Sequence, residues 1–565
     1  VSFGKPMPPE SPPFAVRQAV QELHTEAYEH HRARLKPVHR GFVHAARRHP
    51  HRFAMADGMT PKVTFGAALG RTVYLARRLR RLWRDQEMVG ILLPPSVAGA
   101  LVNLAAMLCG KVPINLNYTA SNEVIASCAA QCGLTTCITS KAFLEKVPVQ
   151  PPGKTIFLEE VAANPRAMDK VAAAIGSRLL PVKILERWLS GRNAHMDELA
   201  TVIFSSGSTG DPKGVMLTHY NVASNIEQAG QMFALDKHDR ILGILPFFHS
   251  FGFTVTIWLP VVLGVGAVYH PNPLDARVVG GLVEKYGVTF MVATPTFLQA
   301  YIRRCEPENF GSLEFVLAGA EKLPERISQA FEDRFGIRPL EGYGCTECSP
   351  VVSVNTRDFR SAGFRQVGAK RGKIGHPLPG VSVRIEHPET GEPLGLDQPG
   401  LLWVKGPNVM KGYLGKPEKT AEVLREGWYN TGDIATVDED GFLAIADRLS
   451  RFSKIGGEMV PHLKIEERLH ELLDSKDAEQ KFAVTAVPDE KKGERLIVLH
   501  TLGDDEIAEV LEKFAATDLP ALWKPKPNQF FRVEALPYLG TGKLDLRKIK
   551  EVAAEMAKEK SVGAG

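Results

Sequence analysis

Cysteine is scarce in this chain: seven residues in 565, an odd number with no repeating spacing. The one close pair, Cys345-x-x-Cys348, has no second pair to complete a zinc site. A disulfide framework and a zinc finger are both excluded, and all seven read as reduced thiols of a cytosolic compartment. Charge of one sign is lacking too. Lys and Arg number 69 against 64 Asp and Glu, a net charge of +5, too mild to argue for nucleic acid. No G-x-x-x-x-G-K-[ST] spacing occurs, which excludes a Walker A loop. One long uncharged run, 251–269, FGFTVTIWLPVVLGVGAVY, has the length of a membrane span, but there Pro260 and the glycines at 252, 264 and 266 predict a helix, a turn and a strand instead.

What remains is ordinary globular material, 44% hydrophobic and 24% charged, in a chain long enough for more than one domain. Apolar strand-like runs alternate with helix-length segments. MVGILLPPS precedes VAGALVNLAAMLCG, KVPINLN precedes SNEVIASCAAQCG, and VTFMVATP precedes TFLQAYIRRC. Such alternation predicts an α/β fold with largely parallel sheets, their strands covered on both faces. From about 372 to 406 short runs between Gly and Pro turns predict a β-rich subdomain. Residues 1–41 read as a polar helical lead-in, 42–446 as the large domain, and 447–565 as a small α+β domain on a hinge. In the last, FAVTAVPDEKKGERLIVLHTL predicts two strands around a charged turn. DDEIAEVLEKFAATD predicts a helix with an acidic start.

Basic residues cluster twice. Arg77, Arg78, Arg80, Arg81 and Arg84 lie together, as do Arg32, Arg34, Lys36, Arg40, Arg47, Arg48 and Arg52. Two readings stay open: solvated helix faces, or attraction to an acidic partner or an anionic membrane surface.

The chemistry gathers at 201–219, TVIFSSGSTGDPKGVMLTH. An apolar strand stops in a loop where glycines let backbone N–H groups close on phosphate oxygens. Ser205, Ser206, Ser208 and Thr209 add hydroxyls, Gly207 and Gly210 add freedom, and Lys213 adds charge. Four further segments follow: 341–350 (EGYGCTECSP), 427–433 (GWYNTGD), 447–461 (DRLSRFSKIGGEMVP) and 540–548 (GTGKLDLRK). Together the five resemble, in order, the motifs of the adenylate-forming superfamily of acyl-CoA synthetases, acyl-carrier-protein synthetases, luciferases and peptide-synthetase adenylation domains. The resemblance covers roughly 42–550.

It implies ATP and Mg²⁺ as cofactors and a reaction in two halves. A carboxylate attacks the α-phosphate of ATP to give an acyl-adenylate and pyrophosphate; a thiol then displaces AMP to give a thioester. It implies Lys543 as the mobile catalytic lysine, Thr346 as a donor to the α-phosphate, Glu347 as the Mg²⁺ carboxylate and Thr209 on the outer phosphates. Tyr343 stacks adenine, with Gly319, Ala320, Glu341, Gly342 and Gly344 around the base. Asp433 takes the ribose hydroxyls, and Arg448 the sugar or phosphates. His249 sits at the family's gate to the acyl site, or is a satisfied structural histidine. Phe248, Phe251, Phe253, Trp258, Val292 and Thr294 line the acyl pocket. These are mostly apolar and hold no carboxylate for a substrate ammonium, which favours a fatty acid over an amino acid.

Two departures from the family pattern stand out. Ser450 occupies the hinge position, where Asp or Lys is usual. Met459 stands where many CoA-using members have arginine. GGEMVP resembles acyl-carrier-protein synthetases fused to lysophospholipid acyltransferases. The opening VSFGKPMPPES resembles the exit of such an acyltransferase domain. The resemblance therefore implies an acyl carrier protein as thiol acceptor, with CoA as the alternative and Lys454 and Gly457 at the thiol channel. It also implies a chain cut from a longer fusion, cytoplasmic and in peripheral contact with the inner membrane.

Overall fold

The computed structural model describes residues 3–163, 167–205, 212–455, 458–473, 480–489, 493–538 and 544–562. The chain forms two compact units. One comprises 1–384, 403–430 and 440–443; the other comprises 385–402, 431–439 and 444–565.

The larger unit is built on parallel sheets. Six strands, Leu340–Gly344, Phe315–Ala318, Phe290–Ala293, Arg240–Gly243, Gly266–Tyr269 and Phe53–Ala56, lie side by side in that order, every neighbour parallel. Antiparallel strands close both edges. A second sheet, Val112–Asn115, Met88–Ile91, Thr136–Thr139 and Lys154–Phe157, is parallel throughout. Strands such as Phe290–Ala293 are buried at every position, as unbroken apolar runs between two layers of helix must be. The helices begin where the sequence offers caps. Ser96 accepts from Gly99 N ahead of Val97–Leu108, and Ser121 from Val124 N ahead of Asn122–Gln131.

The uncharged run at 251–269 is a π-helical turn Gly252–Trp258 running into Leu259–Leu263. Gly264 then turns in the left-handed region (φ 79°) and leads into Gly266–Tyr269, an interior strand of the main sheet. Among the described residues no helix is long and apolar enough to cross a membrane. All seven cysteines are free thiols.

The basic clusters divide: Arg34, Lys36, Arg48, Arg81 and Arg84 are exposed, as on solvated helix faces, whereas several of the other arginines turn inward. Arg40 Nη2 pairs with buried Glu186 Oε2 at 2.6 Å, Arg47 Nε donates to Ser177 O at 2.9 Å, Arg77 Nη2 pairs with Asp169 Oδ1 at 3.1 Å and Arg80 Nη1 donates to Trp188 O at 2.7 Å. They fasten the helices Ala167–Leu179 and Val182–Ser190 to the body.

The smaller unit carries an α+β sandwich. Phe482–Asp489 and Gly493–His500 form the expected antiparallel pair, with Phe452–Ile455, Glu458–Pro461 and Phe530–Arg532 completing the sheet. Period-two alternation divides its side chains. Phe482, Val484, Leu496 and Val498 pack with Ile465, Leu469, Val510 and Phe514 of two helices. Ala483, Val487, Ile497 and Leu499 pack with Ile549 and Ala553 of the helix Leu546–Val562. The helix Asp504–Ala515 opens on Asp504, Asp505 and Glu506, acids that oppose its positive N-terminal dipole end.

Candidate active site

The glycine- and hydroxyl-rich motif belongs to a hairpin. Leu199–Ser205 runs antiparallel to Lys213–Thr218, with Ser205 opposite Lys213. Ser206, Gly207, Ser208, Thr209 and Gly210 lie outside the described residues. A third strand, Gly412–Tyr413, pairs with Lys213–Thr218, and Lys213 Nζ stands 5.2 Å from the centre of the Tyr413 ring.

Tyr413 links this hairpin to the acidic turn. Its hydroxyl donates to Glu347 Oε1 at 2.9 Å. Burial and the neighbouring carboxylate push the Tyr413 phenol upward, so it remains a donor at any physiological pH. Tyr429 is pushed the same way by burial and by Glu347.

Buried amides hold the turn Thr346–Cys348 from behind. Thr218 and Asn221 form a capping box at the start of His219–Phe233, and Asn221 Nδ2 donates to Pro407 O and Val409 O at 2.9 and 2.7 Å. Asn408 Nδ2 donates to Cys348 O and Val351 O, both at 3.0 Å. Asn225 exchanges two bonds with the Val351 backbone at 2.8 and 3.1 Å. Met410 N donates to Glu347 O at 2.7 Å. Each bond removes a way for the Glu347 carboxylate to drift. Gly344 must be glycine at the start of the turn, because a Cβ there would meet Pro350 O at 2.2 Å.

The loop after the strand Arg240–Gly243 approaches from the other side. Buried Ser250 Oγ donates to Thr346 Oγ1 at 3.3 Å. His249 Nδ1 accepts from Phe251 N at 3.3 Å, within its own loop. The Phe251 ring covers Gly319, where a Cβ would stand 3.1 Å from it. Ala320 follows in the left-handed region, φ 72°. Tyr343 lies opposite Ser353 on the antiparallel edge, and Gly342 opposite Val354. The structure therefore brings Ser250, Phe251, Gly319, Tyr343, Gly344, Thr346, Glu347, Tyr413 and Lys213 to one end of the main sheet. Six of the nine came from the sequence motifs as site residues, and Phe251 as pocket lining. Ser250 and Tyr413 did not, nor did Asn221, Asn225 and Asn408. The signal for Asn221 and Asn225 is polar residues recurring inside the apolar helix NVASNIEQ; Asn408, in KGPNVM, carries none.

Glu341 sits beside this end with its carboxyl largely buried. Burial raises it to about 7 against the backbone N–H groups of Leu323 and Gly372, which favour the charged form. Among the acyl-pocket candidates, Phe253, Trp258 and Val292 are fully buried, with the Phe253 and Trp258 rings 6.2 Å apart. Phe248 packs edge-on against Tyr118 at 5.0 Å. Thr294 uses its hydroxyl to cap Pro295–Arg304, accepting from Phe297 N.

The smaller unit holds a second group of candidates. Asp433 is buried on Trp428–Val437 and pairs with Arg448 Nε at 3.4 Å. Thr431 Oγ1 accepts from Asp433 N at 3.1 Å and donates to Leu402 O at 2.8 Å, fixing the aspartate backbone. Lys454 Nζ pairs with Glu389 at 2.6 Å, and Lys454 lies directly opposite Met459 in the sheet. Ser450 lies in the 3₁₀ turn Leu449–Arg451. Gly457 and Lys543 lie outside the described residues; on either side of the latter, Tyr538 and Leu544 pair antiparallel.

Among the described residues no group of three or more His, Cys, Asp or Glu side chains could hold a metal by itself. One carboxylate, oriented by a tyrosine and backed by amides, instead matches a Mg²⁺ that takes its remaining ligands from water and phosphate.

A parallel α/β body, with the Thr346–Glu347 turn pinned at the end of its main sheet beside the hairpin that carries Ser205 and Lys213, is compatible with a nucleotide-handling enzyme. Comparison with known proteins makes the class specific. The AMP-binding enzyme family matches residues 42–414, and the AMP-binding enzyme C-terminal domain matches 466–543. The chain belongs to this family, within the adenylate-forming acyl-CoA synthetase superfamily. It is 35% identical to a long-chain-fatty-acid–CoA ligase of Bacillus subtilis over 63% of the chain, which spans 62% of that relative's length. It is 31% identical to a feruloyl-CoA synthase of Amycolatopsis, with 89% of the chain and 96% of the relative covered. ATP-bound MatB from Rhodopseudomonas palustris superposes with a TM-score of 0.73 at 25% identity, over 89% of this chain and 96% of that one.

Proposed function

We propose that this chain is an AMP-forming acid–thiol ligase whose acid is a fatty acid and whose thiol acceptor is CoA. The carrying observation is the Thr346–Glu347 turn, held between Ser250 and Tyr413 and anchored by buried amides. Bringing a carboxylate to a polyphosphate sets like charges against each other, and a pre-oriented cation site lowers that barrier. Glu347 holds Mg²⁺, which neutralises phosphate charge when bound. Thr346 donates to the α-phosphate, Ser205 and Lys213 with Ser206, Gly207, Ser208, Thr209 and Gly210 hold the outer phosphates, and Tyr343 stacks the adenine beside Gly319, Ala320, Glu341, Gly342 and Gly344. Asp433 and Arg448 take the ribose, and Lys543 bridges the carboxylate and the α-phosphate. His249 and Phe251 border the acyl entrance, with Phe248, Phe253, Trp258, Val292 and Thr294 behind.

CoA is preferred as acceptor because relatives across the family are named CoA ligases and synthetases. A second reading, transfer to an acyl carrier protein, is favoured by Met459, a neutral residue exposed opposite Lys454 at the position where many CoA users carry arginine. The electrostatic case for an acidic carrier is weaker than the sequence implied, since Arg40, Arg47, Arg77 and Arg80 are engaged internally. Palmitate, ATP and Mg²⁺ with CoA and holo-carrier protein offered in parallel tests the proposal. Palmitoyl-CoA as the main product supports it. Palmitoyl-carrier protein as the main product overturns the acceptor, and no thioester with either overturns the reading.

A further inference from the structure

The helices Ala167–Leu179 and Val182–Ser190 present an outer face that the fold leaves bare. Met168, Val171, Ile175 and Leu179 are 82, 57, 49 and 74% exposed, and Ile184 on the second helix is 53% exposed. Spacings of three, four and four residues put the first four on one narrow stripe of the helix, since four residues are close to a full turn. Single exposed apolar side chains are normal on a protein surface, but a continuous stripe of them marks an interaction site.

Charge on these helices is segregated by face. Both acids point inward and are paired there: Asp169 with Arg77 at 3.1 Å, and Glu186 with Arg40 at 2.6 Å and with the His39 ring at 2.7 Å. The charges left exposed, Lys170, Arg178, Lys183 and Arg187, are all basic; Lys170 lies toward the far side of its helix, while Arg178 borders the stripe and Lys183 and Arg187 flank Ile184. On the preceding short helix, Glu159 is bonded to Ser140 and Glu160 pairs with Lys141. A second copy of this chain would leave that uniform sign unexplained, since a like patch repels itself, and an acidic protein would answer the charges but not the bare apolar stripe between them. An apolar stripe edged by Lys and Arg matches the interface of an anionic bilayer, where apolar side chains enter the acyl boundary and cations meet the headgroups.

We propose that this helical pair is a peripheral docking face for an anionic lipid surface. The arginines that fasten its inner side, Arg47, Arg77 and Arg80, hold it rigid against the body, so it docks the enzyme without a spanning segment. The inference is independent of which acid or thiol the enzyme uses.

Flotation with vesicles of phosphatidylglycerol, against vesicles of phosphatidylcholine, tests it. The full chain floats with the anionic vesicles, binds the neutral ones far less, and is released as salt rises. The double variant Ile175→Glu/Leu179→Glu lowers the bound fraction by roughly tenfold or more, because the lost apolar burial is replaced by like-charge repulsion. The charge variant Arg178→Glu/Lys183→Glu/Arg187→Glu, which leaves the stripe intact, does the same and guards against a folding defect in the first. All five altered side chains are exposed, so thermal unfolding stays close to that of the parent. Failure of the parent to float with anionic vesicles overturns the proposal. So does undiminished binding by both variants, or a dimer in lipid-free solution that the stripe variant dissociates.

Discussion

Replacing Glu341 with Gln should stabilise the protein in alkaline solution and leave it unchanged in acid. The Glu341 carboxyl is raised from 4.5 to about 7, with burial as the largest cause. In the unfolded chain it ionises near its ordinary value. Between those two pH values the unfolded state releases a proton that the folded state keeps. The stability contributed by the neutral, buried acid is complete below about 4.5, declines as pH rises, and is lost above about 7. A difference of about 2.5 units corresponds to about 3 kcal/mol at ~1.4 kcal/mol per unit. Gln keeps an oxygen to accept from Leu323 N and Gly372 N and never ionises. Urea titrations of both proteins from pH 4 to pH 9 should therefore coincide at the acid end and separate progressively, with the variant ahead by a few kcal/mol at pH 8. A gap that is the same at every pH, or a variant less stable at pH 8, would refute the argument that burial governs this carboxyl.

Tyr413→Phe removes the hydroxyl that orients Glu347. It should raise the Mg²⁺ concentration for half-maximal activity by about tenfold, at ~1.5 kcal/mol for a hydrogen bond to a charged group; an unchanged Mg²⁺ profile contradicts this. Arg451 pairs with Asp447 at 3.7 Å and with Glu466 at 2.6 Å. Arg451→Met leaves both carboxylates buried and should cost ~3–5 kcal/mol, read as faster amide exchange across 458–538; protection equal to the parent's argues against it. Burial pushes the thiols of Cys109 and Cys137 up to about 12, so neither should react with iodoacetamide at pH 8 until the protein is unfolded. Rapid labelling of either in the folded protein would show that the interior opens.

The parallel sheets were legible in the sequence because a strand buried on both faces must be apolar throughout. Phe290–Ala293 and Met88–Ile91 are such runs, each set beside a helix with a readable start. The two-faced strands of the smaller unit were legible for the opposite reason, a strict alternation between two cores. The candidate site was legible where a local pattern names its residues, and the structure does bring the Thr346–Glu347 turn near Lys213 through Tyr413. It was illegible where support comes from far along the chain. Asn221 reaches Pro407, Asn225 reaches Val351, and Tyr413 reaches Glu347, and no period of two or 3.6 records such contacts. The arginine clusters were legible only in part, for a related reason: Arg34, Lys36, Arg48, Arg81 and Arg84 are exposed as expected, the others not. A run of basic residues shows neither which of them face inward nor that carbonyls at 177 and 188 await them.

The central claim is an acyl-adenylate formed at the Glu347 turn, and isotope exchange tests it most directly. Incubating the protein with palmitate, ATP, Mg²⁺ and radiolabelled pyrophosphate, with no thiol present, should return label into ATP. The exchange should require both the acid and Mg²⁺, and Lys543→Ala should abolish it. Absence of exchange, or exchange that proceeds without the acid, would contradict the account.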